Sequence, residues 1–411
     1  MEKFFKIKSA TQSLFNGEVE LLPSVTELFE FELAYLEYKI FNKSEYIEKT
    51  AYAKSYKNKP SKHFLKYSKI PESISANSSS ITKSYFENVL FSTGYATHSL
   101  FPYRGKFHPQ MIKGIINIIG IKSGDIILDP MAGSGTTNIE ASLMGINSYA
   151  IDISPFCQFM IKTKYESLTI DVDLLTKANL YSSKWFSFFE KKDVIQEIIK
   201  KEDEKRKIYN LALLAYLDAL GYSKRVVKSN HEQLFQKVIK RYTDTVKNIF
   251  DNKYYDKFQI GKVEVLKNSD ALNVELSNES VDGIITSPPY SFAINYVEND
   301  KAQLEYLGYK TDSLTKKLIG LKGKGKKEKL DIYFQDMDIF CKEAARILKK
   351  GKYLVIIIGS NTNQTGGIRL EETIINSAKK YGMFLVKCIL KPIKGMRNTM
   401  KEEYILFFEK E

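Results

Sequence analysis

Asp125-Ile126-Ile127-Leu128-Asp129-Pro130-Met131-Ala132-Gly133-Ser134-Gly135-Thr136-Thr137 is the stretch that decides the fold. Asp125 to Leu128 reads as a buried strand, and the two glycines as a tight turn. Asn138 to Met144 reads as a helix stopped by Gly145, and Ser148 to Ile151 as a second strand ending at Asp152. Strand, glycine turn, helix and strand make one βαβ unit. Such units build open parallel sheets that take ligands at their carboxyl edge, so the fold class is α/β.

Outward from this unit the pattern continues in both directions. Upstream, Tyr103-Arg104-Gly105-Lys106-Phe107-His108-Pro109 leads into a helix from Gln110 to Ile119, closed by Gly120. Residues 1–95 form a leading section, in which apolar residues at helical spacing predict a helix over Val25 to Phe41. Asn77-Ser78-Ser79-Ser80 is a loop signal. Downstream, residues 171–256 are charged and helical in period (Val194 to Ile199, Tyr209 to Leu220, Leu234 to Ile249), which reads as a helical insertion. Strand character resumes at Val263 to Leu266, and again at Val281 to Thr286. A Gly/Lys-rich loop, Lys316 to Lys327, precedes a helix (Asp331 to Leu348) and a strand (Lys352 to Ile358). The tail gives a helix, Leu370 to Lys380, and two strands, Phe384 to Leu390 and Glu403 to Phe408, expected to pair antiparallel. The predicted domains are therefore 1–95, a catalytic domain of 96–170 with 257–411, and the insertion 171–256.

The chemistry of the glycine turn narrows the ligand. Ala132-Gly133-Ser134-Gly135 lets a ligand approach the backbone, and the next helix presents unpaired N–H groups there. Thr136 and Thr137 add hydroxyls. Asp152, 17 residues past Gly135, ends the neighbouring strand, where a carboxylate accepts from both ribose hydroxyls. A nicotinamide dinucleotide would satisfy this much. Two details favour S-adenosylmethionine. Asp129 precedes the glycines, where a carboxylate repels a pyrophosphate and attracts an ammonium, and the third glycine of the dinucleotide turn is missing from its usual place. No Gly-Lys-Ser/Thr follows, which argues against a P-loop. Asp270, at the next strand end, can accept from an adenine amino group. One such Asp is often an ordinary cap; three at successive strand ends are a constellation.

The second signal is Ser287-Pro288-Pro289-Tyr290, after the strand that ends at Thr286. Prolines lack ladder donors and fix φ, so this is a stiff corner and no continuation of a central strand. It gathers a hydroxyl, a backbone carbonyl and an aromatic face, a set suited to a flat, amino-bearing ring. An aromatic amine is a poor nucleophile because its lone pair spreads into the ring. Acceptors on both amino hydrogens, Ser287 Oγ and the Pro288 carbonyl, localise that pair for in-line attack on a sulfonium methyl. Tyr290 would stack on a base swung out of its duplex. No covalent intermediate is needed. Cys157, in Ser154-Pro155-Phe156-Cys157, follows the wrong strand for a C5-cytosine nucleophile. As plain structure, the four residues would be a proline-stiffened loop with a packed tyrosine.

With these motifs the chain resembles the amino-group DNA methyltransferases of bacterial restriction–modification systems, the N4-cytosine and N6-adenine enzymes. The resemblance runs from His98 to about Phe159 and from Lys262 to the end. It implies a class I methyltransferase (Rossmann-like) fold, a seven-stranded mixed sheet with helices on both faces. It implies S-adenosylmethionine as cofactor, held by Tyr103, Lys106 and Phe107, by Asp129, Ala132, Gly133, Ser134, Gly135, Thr136 and Thr137, by Asp152 and Ile153, and by Asp270 and Ala271. The catalytic residues would be Ser287, Pro288, Pro289 and Tyr290. Ser-Pro-Pro-Tyr is commonest in the cytosine-N4 branch; Asp or Asn in first place is commoner in the adenine branch. Double-stranded DNA is the implied substrate, with a companion restriction endonuclease as the partner of such a system. RNA enzymes acting on guanine N2 in tRNA share the fold and a similar corner, usually with Asp or Asn before the prolines. A DNA-binding protein with a degenerate core is a third alternative, opposed by the intact Asp129, Asp152, Asp270 and Ser287.

Composition sets the outer limits. With 43% hydrophobic and 27% charged residues among 411, the chain reads as globular. No apolar run reaches membrane-span length, and Met1 to Lys6 does not begin a secretory signal, so a cytoplasmic protein without a membrane partner is expected. Cys157, Cys341 and Cys388 are far apart, as are the four histidines, so no metal site is expected. The net charge of +13 favours a polyanionic partner, although a Lys-, Asn- and Ile-rich composition produces such a charge without selection for it. Three segments could read DNA: the leading section, the insertion with Lys224, Arg225 and Lys228, and the Lys316 to Lys327 loop, whose lysines could track phosphates.

Overall fold

Apolar strand runs alternating with glycine stops set the order of elements. The structure, a computed structural model, describes residues 13–22, 25–61, 95–103, 105–192, 204–224, 230–251, 259–289, 295–359, 367–393 and 402–411. The Asn77 loop signal and the Val194 to Ile199 segment fall outside them.

The leading section contains a small antiparallel sheet of β1 (Val19–Leu21), β2 (Ala53–Tyr56) and β3 (Lys59–Pro60). The expected helix is α1 (Leu28–Ile40). The strands beside it went unpredicted because they are two to four residues long, too short to show alternation.

The main sheet has seven strands: β4 (Ile126–Asp129), β5 (Asn147–Ala150), β6 (Val263–Val265), β7 (Val281–Thr286), β8 (Leu348–Gly359), β9 (Met383–Pro392) and β10 (Glu402–Lys410). Their order is β6-β5-β4-β7-β8-β10-β9. The first five are parallel, and β10 runs antiparallel to both β8 and β9. The two tail strands pair as expected, with β10 inserted between β8 and β9. This is the class I methyltransferase sheet. From β4 the chain winds outward through β5 and β6, then returns to lay β7 on the other side of β4. That reversal makes a switch point, where an open α/β sheet leaves a crevice at its carboxyl edge.

Successive strand residues face opposite sides of a sheet, and each side has its own core. Ile285, Val355, Ile357, Ile389, Ile405 and Phe407 join α1 and α2 (Pro109–Ile118) in one buried cluster. Ile284, Leu354, Ile356, Leu406 and Phe408 join α9 (Lys326–Ile347) and α10 (Leu370–Lys380) in the other. Between these come α3 (Thr136–Leu143) and α4 (Pro155–Glu166), then α5 (Val172–Asn179), α6 (Ser182–Glu190), α7 (Glu204–Ser223) and α8 (His231–Phe250). The residues expected to be helical in period are thus helical where described. Phe156, Cys157 and Met160 of α4 share a core with α7 and α8. Glu166 on α4 also accepts from Arg206 Nη2 (2.6 Å) and Asn210 Nδ2 (3.1 Å) of α7. Among the described residues no helix is long and apolar enough to cross a membrane, and no cluster of potential metal ligands occurs.

Candidate active site

The loop after β4 is forced into shape by its glycines. Gly133 and Gly135 have φ of +52° and +75°, in the left-handed region that side chains disfavour. A Cβ on Gly135 would also stand 2.8 Å from Ile161 Cγ1 on α4. Only glycine lets α4 approach the turn this closely. Lys164, one helical turn beyond Ile161, donates from Nζ to the Ser134 carbonyl at 3.2 Å. It is fully enclosed, and burial holds its pKa well below the usual value, with Lys106 adding to the effect. One helix therefore braces the turn from behind with an apolar contact and a hydrogen bond.

Two strand-end carboxylates organise the space around the turn. Asp152 accepts from the Gly133 amide through Oδ2 (2.8 Å) and from the Ser154 amide through Oδ1 (2.8 Å). Burial pushes its pKa up to about 6, and these bonds only partly offset that. Each oxygen keeps a second lone pair for another donor. Asp129 is completely enclosed. Its Oδ1 accepts from Thr286 Oγ1 (2.8 Å) and the Met131 amide (3.2 Å). Burial raises its pKa to about 7, and the Thr286 and Thr137 hydroxyls and the Met131 amide only partly offset that. Asp270 is exposed and uses Oδ1 to accept from the amides of Leu272 (2.7 Å) and Asn273 (3.0 Å).

Because β4 and β7 are neighbours, the two sequence signals leave the sheet side by side. Leu128 pairs with Ile284, and the Thr286–Asp129 hydrogen bond ties residues 157 apart in sequence. A cavity of about 1070 Å³ opens there. Of the expected site residues, Tyr103, Lys106, Phe107, Ala132, Gly133, Ser134, Thr136, Asp152, Ile153, Asp270, Ala271, Ser287 and Pro289 line it. Asp129, Gly135, Thr137 and Pro288 are buried and do not line it. Asp129 thus shapes the site through Thr286 and Met131 and by its charge. Tyr290 lies outside the described residues, as does Arg225.

The segment before α2 closes the near side. Tyr103 Cε1 comes within 3.4 Å of a Cβ built on Gly133, and the Tyr103 hydroxyl is 3.5 Å from Cys157 Sγ. Lys106 donates to the His98 carbonyl, and burial lowers its pKa to about 8. The His98 ring contacts Glu140 Oε2 at 3.0 Å, and the same oxygen accepts from Tyr95. Burial brings His98 down to about 4, so the ring is neutral at pH 7.

This donor set fits S-adenosylmethionine. Asp152 and Asp270 make the β4–β6 half of the cavity acidic, hostile to a pyrophosphate and suited to hydroxyls, an amine and a sulfonium. Lys106 is the cation at hand for a carboxylate.

The sequence did not single out Tyr296, Asp300, Ile357, Lys391, Ile393 and Glu403, which also line the cavity. Lys316, Lys317, Leu318, Ile319 and Lys322 line it as well, so part of the Gly/Lys-rich loop borders the site. Ile319 anchors that loop in the core it shares with Ala271. For Lys391 and Glu403 the signal was present: they lie at matching ends of the two strands expected to pair.

Comparison with known proteins agrees with this geometry. The family model UPF0020, described as RMKL-like, methyltransferase domain, matches residues 99–218. The Type II methyltransferase M.BsoBI of Geobacillus stearothermophilus is 25% identical over 268 residues, 51% of this chain and 52% of that protein. The Type II methyltransferase M.MjaII of Methanocaldococcus jannaschii is 40% identical over 91 residues, 21% of this chain and 17% of its own length. A tRNA (guanine(10)-N2)-dimethyltransferase of Methanothermobacter thermautotrophicus is 43% identical over 53 residues, 13% of this chain and 16% of that one. The chain thus spans about half of M.BsoBI and less of the other two. Glycine turn, strand order and these similarities liken the chain to amino-methyltransferases, and the site fits S-adenosylmethionine as the cofactor.

Proposed function

We propose that the protein is a site-specific DNA methyltransferase that moves a methyl group from S-adenosylmethionine to the exocyclic amine of a flipped-out base, cytosine N4, in a cytoplasmic restriction–modification system. The observation that carries this reading is that Ser287 and Pro289 share one cavity with Gly133, Asp152 and Asp270. The similarity to two Type II methyltransferases supports it. DNA would be the macromolecular partner, with a companion restriction endonuclease acting on the same sequence. In this reading residues 96–170 and 257–411 form the catalytic domain. The leading section (1–95), the insertion (171–256) and the Lys316 to Lys327 loop are candidates for reading the DNA.

The cofactor supplies an electrophilic sulfonium methyl. The residues of this chain do the rest. Asp152 and Asp270 would accept from the cofactor's ribose and adenine, and Lys106 would pair with its carboxylate. Ser287 Oγ and the Pro288 carbonyl accept the two amino hydrogens of the base, which turns its lone pair toward the methyl group. A nitrogen that takes up the methyl group would carry growing positive charge. The same two oxygens stabilise that charge until a proton passes to water. Tyr290 provides the ring on which the extruded base stacks.

The similarity to a tRNA guanine-N2 enzyme favours a second reading, an RNA base amine as acceptor. Incubating the purified protein and methyl-labelled cofactor with duplex DNA or with tRNA separates the two. Label in DNA is expected. Label confined to tRNA would overturn the DNA assignment while keeping the chemistry.

A further inference from the structure

Asp152 and Asp270, which follow β5 and β6, line one half of the cavity. Its other half lies over β7, β8, β10 and β9, and the reading above gives its polar wall no task. Strand register locates that wall. Thr286 pairs with Ile356, so Ile357 stands level with Ser287. Ile405 faces Ile357, and Glu403 faces Gly359, two residues further beyond the sheet edge. Lys391 faces Glu403 across the last pair of strands. Ile285, Ile357, Ile389 and Ile405 share one core, hence one face of the sheet. The two-residue period sets Glu403 and Lys391 on that face too, and Ser287 follows the end of β7 directly.

Lys391 and Glu403 form an ion pair in which the side chains are only 22% and 14% exposed. Both line the cavity, with Ile357 and Ile393 beside them and Phe107 and Met111 also on its wall. Three strand spacings separate β7 from β9, roughly 14 Å between backbones. A lysine side chain spans about 6 Å of this, leaving a gap on the order of one hydrogen-bonded aromatic ring.

We propose that Lys391, held by Glu403, reads the ring edge of the base whose amino group is gripped at Ser287. The proposal rests on the function proposed above and adds a basis for base selection. Lys391 has only N–H donors to offer. Cytosine and adenine carry a ring acceptor next to the amine and can receive one. Guanine carries a ring N–H on the Watson–Crick side of its amine and an acceptor, N3, only on the other side, so it could receive one only in a flipped orientation. A phosphate is the poorer occupant, because Glu403 would repel it. Glu403 is a positioning residue that fixes the ammonium and balances its charge.

The test compares the full-length wild type with Lys391→Met, Lys391→Arg and Glu403→Gln. It reads kcat/KM for DNA, cofactor affinity by calorimetry, and the salt dependence of DNA binding. Lys391→Met should lower kcat/KM roughly ten- to a hundred-fold, the range for losing one base contact, with cofactor affinity and salt slope unchanged. Arginine should restore part of the loss, and Glu403→Gln should shift kcat/KM in the same direction by less. Arginine and glutamine keep side-chain bulk, so a folding failure confined to the methionine variant leaves the test standing. Unchanged kcat/KM would overturn the proposal. So would a salt slope reduced by about 0.9, the mark of a lost phosphate contact, or a parallel loss of cofactor affinity. If the wild type fails to label DNA at all, the functional reading falls first.

Discussion

The two halves of the sheet edge are built differently. Over β4, β5 and β6 the site is made of backbone amides, glycines and strand-end carboxylates, all within short contiguous motifs. Over β8, β10 and β9 it is made of single side chains, Ile357, Glu403 and Lys391, set level by strand register. The first half suits a constant ligand, since a backbone cradle tolerates little variation. The second suits a variable one, since a single substitution changes what its wall presents. Ser287 stands at the border, at the end of β7.

Changes at the border should have the largest effect. Ser287→Ala should cut methyl transfer roughly a hundred-fold or more, with cofactor affinity within about two-fold of wild type by calorimetry; equal turnover would break the division into halves. Next comes the cradle. Gly135→Ala meets both a positive φ and Ile161 at 2.8 Å, and should cost about 1–3 kcal/mol of stability together with cofactor affinity. Thermal melts with and without cofactor would show whether the variant loses the cofactor-induced rise in Tm. Asp152→Asn keeps the shape but weakens the acceptor for Gly133 and for ribose. Its cofactor affinity should drop about ten-fold, with DNA binding little changed; a loss of DNA binding alone would move Asp152 to the other half.

The smallest effect is a pH trend. Asp129 and Asp152 have folded-state pKa values raised to about 7 and about 6. Between the ordinary carboxylate value near 4 and these values the folded chain holds more protons than the unfolded one. Their contribution to stability is therefore present at low pH and is lost as pH rises through 6 to 7. His98 works in the opposite sense, since its lowered pKa costs stability as pH falls toward 4. The comparison that isolates the carboxylate is wild type against Asp129→Asn: the Tm of the wild type should fall relative to the variant between pH 5.5 and 8. Parallel curves would mean that Asp129 is charged in the folded protein throughout.

This division also explains what could be read from the sequence. Strand, glycine turn and Asp152 were legible because a tight turn at positive φ admits few residues and each leaves its mark. Asp129 was legible as a residue but not as an enclosed one; its lack of solvent contact depends on Thr286, 157 positions away. Lys164 gave no signal, since a lysine in the middle of an amphipathic helix usually faces water, whereas this one reaches the Ser134 carbonyl. Lys391 and Glu403 looked like ordinary charges near the ends of tail strands. Only the insertion of β10 between β8 and β9 brings them over the cavity.

The most direct test of the central claim is mass spectrometry of nucleosides from DNA treated with labelled cofactor and either wild type or Ser287→Ala. The account predicts labelled N4-methylcytosine with the wild type and almost none with the variant. Label on a ring carbon, or equal label from both proteins, would contradict it.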